Sequence, residues 1–206
     1  YFAGGDVALE FRRGWTHGVA ALLILPALLA ILLWLWPRWP RRAEQDRPIS
    51  RAWLFGLSYL AVATHPFLDW LNTYGMRWWM PFSDTWYYGD SVFIVDPWLW
   101  LLLGAGWILG RRSAAGRPAV VGLLLASFYI TTMLMLHAAT VRRVELELAR
   151  AGIRPVDQLM VGPLPARPLA WELVARTGDR IRWGSYSWLA DEPLAMAAET
   201  FRAAES

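Results

Sequence analysis

Val19 to Trp36 reads VAALLILPALLAILLWLW, with no charged residue. A helix needs about 20 predominantly apolar residues to cross a bilayer, and this stretch is close to that length. Three further stretches share its character. Trp53–Leu71 is interrupted by His65 and Asp69, Val92–Leu109 contains Asp96, and Ala119–Leu136 is again free of charge and runs straight into His137. Together they predict a mainly α chain, a polytopic helical membrane bundle of about four transmembrane helices.

Composition points the same way. Hydrophobic residues make up 56% of the 206 positions and charged residues 18%, below the roughly 25% of an ordinary soluble domain. Trp occurs 15 times, more often than Tyr or Phe, as suits an interfacial belt. The pI of about 9.6 comes from arginine alone, because the chain has no lysine. Those arginines cluster at Arg38, Arg41, Arg42, Arg47 and Arg51, then at Arg111, Arg112 and Arg117. Short arginine-rich loops between apolar runs are topogenic signals, not a nucleic-acid groove, so no nucleic-acid partner is expected. With no cysteine, there is neither a disulfide framework nor a thiolate metal site.

The loops divide by charge. Pro37–Arg51 and Gly110–Pro118 are arginine-rich and predicted to be cytoplasmic. Asn72–Ser91 carries Arg77 against Asp84 and Asp90, is full of aromatics, and is predicted to lie in the periplasm. This implies a multi-pass protein of the inner membrane, in contact with lipid. Residues 1–140 form the membrane domain of this reading and 141–206 a small periplasmic α+β cap. Within the cap, Leu169–Arg176 and Arg180–Leu189 read as strands around Thr177-Gly178-Asp179. Asp191–Ala204 reads as an amphipathic helix capped by Asp191. Trp171, Trp183 and Trp188 are the expected docking residues.

The same topology sets His17, His65, Asp69, Asp96 and His137 in one outer layer. Ionisable groups at membrane depth are costly and mark sites or internal pairs. His65 and Asp69, at i and i+4, share a helical face, Asn72 continues that stripe, and Pro66 withdraws a backbone N–H beside them. Two chemistries fit: a hydrogen-bonded pair inside a bundle, or ligands of a divalent ion with His17 as a third. Zinc is the first candidate and manganese the second. Asp96 before Pro97 has the form of an N-cap, while Asp84 and Asp90 suit turns as well as catalysis.

Particular words in the chain are also familiar. Arg13-Gly14-Trp15-Thr16-His17 resembles the Arg-Gly-x-Thr-His segment of the LexA-regulated, inner-membrane-associated metal-dependent hydrolases. Thr64-His65-Pro66-Phe67-Leu68-Asp69-Trp70-Leu71-Asn72-Thr73-Tyr74-Gly75 is similar to that family's longest signature, as are Pro81-Phe82-Ser83-Asp84, Gly89-Asp90-Ser91 and Val95-Asp96-Pro97. The tail Pro163–Trp171 is similar to its Pro-x-Pro-x-x-Pro-x-x-Trp element.

The resemblance implies a membrane hydrolase with His17, His65 and Asp69 as metal ligands. Asp69, Asp90 or Asp96 would accept protons, and Arg13 and Asn72 would bind substrate, a small-molecule or lipid phosphoester. It also implies a histidine and paired aspartates upstream of His17. The chain opens at Tyr1 rather than Met, so the expectation is a member lacking its N-terminal segment, with an incomplete centre and a groove beside the first two helices. The competing reading is a non-catalytic scaffold or small transporter, which would need neither His65 nor Asp69.

Overall fold

A computed structural model describes residues 14–35, 50–113, 116–153 and 156–202, with side chains as far as 197. Its elements are α1 (Val19–Leu35), α2 (Arg51–Leu71), α3 (Pro97–Arg112) and α4 (Arg117–Arg150), then β1 (Gln158–Leu164), β2 (Arg167–Thr177), β3 (Arg180–Ser187) and β4 (Leu194–Arg202). They fall into two units. The first takes residues up to Trp70 together with Tyr74–Tyr88, and the second takes Leu71–Thr73 and everything from Gly89 on.

In the first unit α1 and α2 lie side by side in opposite directions. At one end the Arg51 guanidinium stacks over Trp34 at 4.9 Å; at the other, the rings of His17 and His65 lie 5.2 Å apart. Ala21, Pro26 and Ala30 are the buried residues of α1. Beyond α2 the chain loops back on itself, because Met76 and Tyr87 exchange both backbone hydrogen bonds at 2.8 Å. Gly75 takes φ +71° there, and the Tyr88 ring occupies the space that a Cβ would need.

The second unit is built on α3 and α4, which run as an antiparallel hairpin with almost no side chain between them. A Cβ on Gly122 would stand 2.8 Å from the Gly106 Cα, and one on Gly110 would stand 2.9 Å from the Ala119 Cβ. Small residues let two helix backbones approach closely, as in apolar membrane helices. Asp96 caps α3, its Oδ1 accepting from the backbone N–H of Trp98 and of Leu99 at 2.9 Å each.

The C-terminal half of α4 buries Thr140, Val144 and Leu148. The four strands form an antiparallel meander in sequence order. Along β2, Trp171, Leu173 and Ala175 are buried in the alternation a strand imposes. The sheet joins α4 where the His137 ring meets Trp171 at 5.5 Å and the Trp188 indole N–H donates to Thr140 Oγ1 at 2.9 Å. Trp183, expected to dock, is 45% exposed, because on β3 it lies one position off the buried face.

Two expectations are corrected here. The polytopic bundle of about four spans is not what forms: among the described helices, only Arg117–Arg150 is long and apolar enough to cross a membrane. α1 has 17 residues and α3 has 16, ending in Arg111 and Arg112. α2 has the length, but Arg51, His65 and Asp69 dilute its apolar face. The second correction is that the C-terminal segment is a four-stranded sheet and not α+β. The stretch punctuated by Pro155, Pro163, Pro165 and Pro168 reads as irregular in the sequence, yet Gln158–Leu164 within it forms an edge strand, where proline is tolerated. Residues 194–202, rich in helix-forming Ala, Met and Glu, pair along β3 instead, since tertiary pairing of an open sheet edge outweighs weak helix propensity.

Candidate metal centre

His17 sits in the turn that opens α1. The Gly14 carbonyl accepts from the backbone N–H of His17 and of Gly18 at 3.3 and 2.7 Å, and the Val19 N–H donates to the Trp78 carbonyl at 2.8 Å. Gly18 is required by contact: a Cβ there would meet the Met80 carbonyl oxygen at 2.7 Å. The His17 turn is therefore clamped onto the loop after α2. Thr16 Oγ1 lies 2.6 Å from His17 Nδ1, which fixes the ring and directs Nε2 at Asp69. With Thr16 accepting the Nδ1 proton, Nε2 carries the lone pair a ligand needs.

His65 and Asp69 come from one turn of α2, as their spacing dictates. His17 Nε2 and His65 Nε2 each stand 3.8 Å from the same atom, Asp69 Oδ2. One ligand atom from each residue fits within a 4.8 Å set. A distance of 3.8 Å is too long for a hydrogen bond. It is close to the separation of about 3.4 Å between donors that share a tetrahedral ion at bonds of about 2.0–2.2 Å. Two imidazoles and a carboxylate are also the donor types that zinc takes in catalytic sites. The residues fit the group. Their side chains are 15%, 69% and 23% exposed for His17, His65 and Asp69, so the cluster is anchored on one side and open on the other.

The remaining candidates separate. Arg13 lies outside the described residues. Asn72 is buried in the second unit. Asp96, also in that unit, uses both oxygens: Oδ1 caps α3, and Oδ2 accepts from the Tyr129 hydroxyl at 2.8 Å. Asp90 is 9% exposed with φ +40°. Its Oδ1 has no hydrogen-bond partner among the described residues, and burial pushes its carboxyl up to about 6.

One residue escapes sequence reasoning. Arg77 looks like a lone cation in an aromatic loop, yet its side chain is only 7% exposed. Its Nη2 donates to Asp84 Oδ1 at 3.1 Å, and its guanidinium lies 5.5 Å over the Trp86 ring. The one available signal is that Arg77 is the sole basic residue in an otherwise acidic and aromatic stretch.

The family model of the YdjM inner membrane proteins matches residues 2–140, which takes in the His17 turn, α2, the Arg77 loop and the apolar half of α4. The chain belongs to the YdjM inner membrane protein family. That family name puts the chain at the inner membrane, where exposed apolar side chains such as Leu123, Leu124 and Phe128 on α4 have a hydrocarbon environment. The chain is also similar to the uncharacterized protein YfhP of Bacillus subtilis (strain 168), 28% identical over 133 residues, which is 63% of this chain and 37% of that protein. It thus spans little more than a third of that relative's length. No solved structure matches.

Proposed function

We propose that this YdjM-family chain is a membrane-bound metal-dependent hydrolase acting on a phosphoester, lipid-borne or soluble. The observation that carries this reading is the convergence of His17 Nε2 and His65 Nε2 on Asp69 Oδ2 at 3.8 Å each. His17, His65 and Asp69 would hold a divalent ion, zinc first and manganese second, which when bound would lower the pKa of a water towards about 7. The chain's own residues do the rest. Thr16 holds the His17 ring, the turn of α2 sets His65 against Asp69, and the Asp69 oxygen not directed at the histidines would accept the proton that an attacking water gives up. The exposed side of His65 is the approach for substrate. The cluster lies at the ends of α1 and α2 away from the arginine-rich segment between them, and we place it on the periplasmic face.

The test is elemental analysis of the purified chain with hydrolysis of bis(p-nitrophenyl) phosphate. One equivalent of zinc or manganese is expected. His17→Ala, His65→Ala and Asp69→Ala should each lose it to a similar degree, and combining them should cost little more, as for residues acting as one unit. Full metal occupancy in His65→Ala would overturn the centre.

A further inference from the structure

The α3–α4 hairpin leaves a groove along one side of its seam. Gly106 and Gly122 bring the two backbones together, a Cβ on Gly106 standing 2.9 Å from the Gly122 Cα. Side chains at four-residue spacing then rise on either side: Leu101, Ala105 and Leu109 from α3, and Arg117, Val121 and Leu125 from α4. The space between them is about 440 Å³, within the range of roughly 300–1,000 Å³ that ligand sites occupy. Apart from the Arg117 guanidinium, every side chain lining it is apolar.

One end of this groove is strongly basic. Arg111 and Arg112 close α3 and Arg117 opens α4, and all three are exposed. The sequence has no carboxylate between Asp96 and Glu145, and none of the three arginines enters an ion pair among the described residues. Arg111 lies over the ring of exposed Trp107 at 5.0 Å instead, and both residue types suit the boundary between membrane and water. α4 also starts at Gly116 without a side-chain cap, so the positive end of its dipole adds to the same field.

Length and charge together select the occupant. Arg117 to Leu125 covers roughly 12 Å of helix, less than half of the hydrocarbon core of about 30 Å. A partner's transmembrane helix would call for a seam running the full depth. A small polar solute would find nothing to bond along the apolar walls. A chain of one leaflet with an anionic head at the arginine end matches both features, and guanidinium groups pair well with phosphate.

We propose that this groove holds an acyl chain of an anionic phospholipid, with the lipid phosphate paired to Arg117 and the neighbouring Arg111 and Arg112. The proposal rests on the chain's place at the inner membrane and not on the metal centre, which belongs to the other unit.

The full chain is released for native mass spectrometry from nanodiscs of equal parts phosphatidylglycerol and phosphatidylcholine, and the retained lipids are counted. Phosphatidylglycerol should be retained at least fivefold over phosphatidylcholine, about the effect of one arginine near a membrane surface. Arg111→Gln, Arg112→Gln and Arg117→Gln combined should bring the ratio close to one. Val121→Phe, which fills the groove from an exposed position, should lose retained lipid of both kinds. Phosphatidylglycerol carrying a photoreactive acyl chain should label residues within 101–125. Equal retention of the two lipids, an arginine variant with the parent's ratio, or labelling confined to other residues overturns the proposal. A dimer that Val121→Phe abolishes also overturns it, since the groove would then be an interface between copies of the chain. Should Val121→Phe fail to fold, the arginine variant decides alone, because those side chains are exposed. Zinc stoichiometry should be the same in every variant, so loss of the lipid site and loss of the hydrolase reading are separate results.

Discussion

The Trp188 indole N–H donates to Thr140 Oγ1 at 2.9 Å, joining the end of β3 to the one polar side chain that α4 buries completely. Thr140 at the same time donates to the Leu136 carbonyl at 2.8 Å, so its hydroxyl serves as acceptor for the sheet and donor for the helix. Replacing Thr140 by Val keeps the volume and removes the acceptor, leaving the indole N–H without it. Thermal unfolding in detergent should show a loss of about 1–3 kcal/mol. Trp183→Ala, at an exposed position, should stay within about 0.5 kcal/mol. Equal effects of the two would mean that the sheet is not attached through Trp188.

The α3–α4 hairpin depends on the absence of side chains at its crossing. Gly122→Ala puts a methyl 2.8 Å from the Gly106 Cα and 2.9 Å from the Leu102 carbonyl, both backbone atoms that cannot swing aside. The cost expected is about 1–3 kcal/mol, as for overpacked sites. Gly104→Ala meets nothing within 4 Å and should be neutral or slightly stabilising through helix propensity. A Gly122→Ala variant as stable as Gly104→Ala would refute this packing.

Asp90 gives a pH dependence of definite sign. Its carboxyl is raised from 3.8 to about 6 by burial, so the folded chain holds a proton that the unfolded chain releases. Stability is therefore highest below pH 4 and falls as pH rises through about 6, by about 3 kcal/mol in all. Asp90→Asn removes the titration, and asparagine tolerates the positive φ. Melting temperatures taken from pH 4 to 7 should fall for the parent and stay flat for the variant. Parallel curves would show that Asp90 is not the group responsible.

Orientation can be read by chemistry, since the chain has no cysteine. Phe82 is 82% exposed in the Arg77 loop. A membrane-impermeant maleimide applied to spheroplasts should label Phe82→Cys and leave Ala43→Cys, in the arginine-rich segment, unlabelled until the cells are lysed. The opposite pattern would put the metal cluster on the cytoplasmic side.

Features governed by neighbours along the chain were legible in the sequence. The His65–Asp69 face follows from the helical repeat, the Asp96 cap from a carboxylate preceding proline, and the β2–β3 hairpin from Thr177-Gly178-Asp179 with Gly178 at φ +58°. The apolarity of α4 likewise needed no fold to be seen. The sequence offers His17 as the third member, but only tertiary structure brings its Nε2 to Asp69, through a turn clamped by Gly18 and the Trp78 carbonyl. The four-span bundle fails because an apolar run does not record where its helix stops: among the described helices only Arg117–Arg150 has the length and apolarity to cross a membrane. Residues 194–202 became a strand because β3 offered an open edge, a partner that local propensity does not record. The burial of Arg77 in the loop that Met76 and Tyr87 close is marked in the sequence only by its being the sole basic residue of an acidic and aromatic stretch.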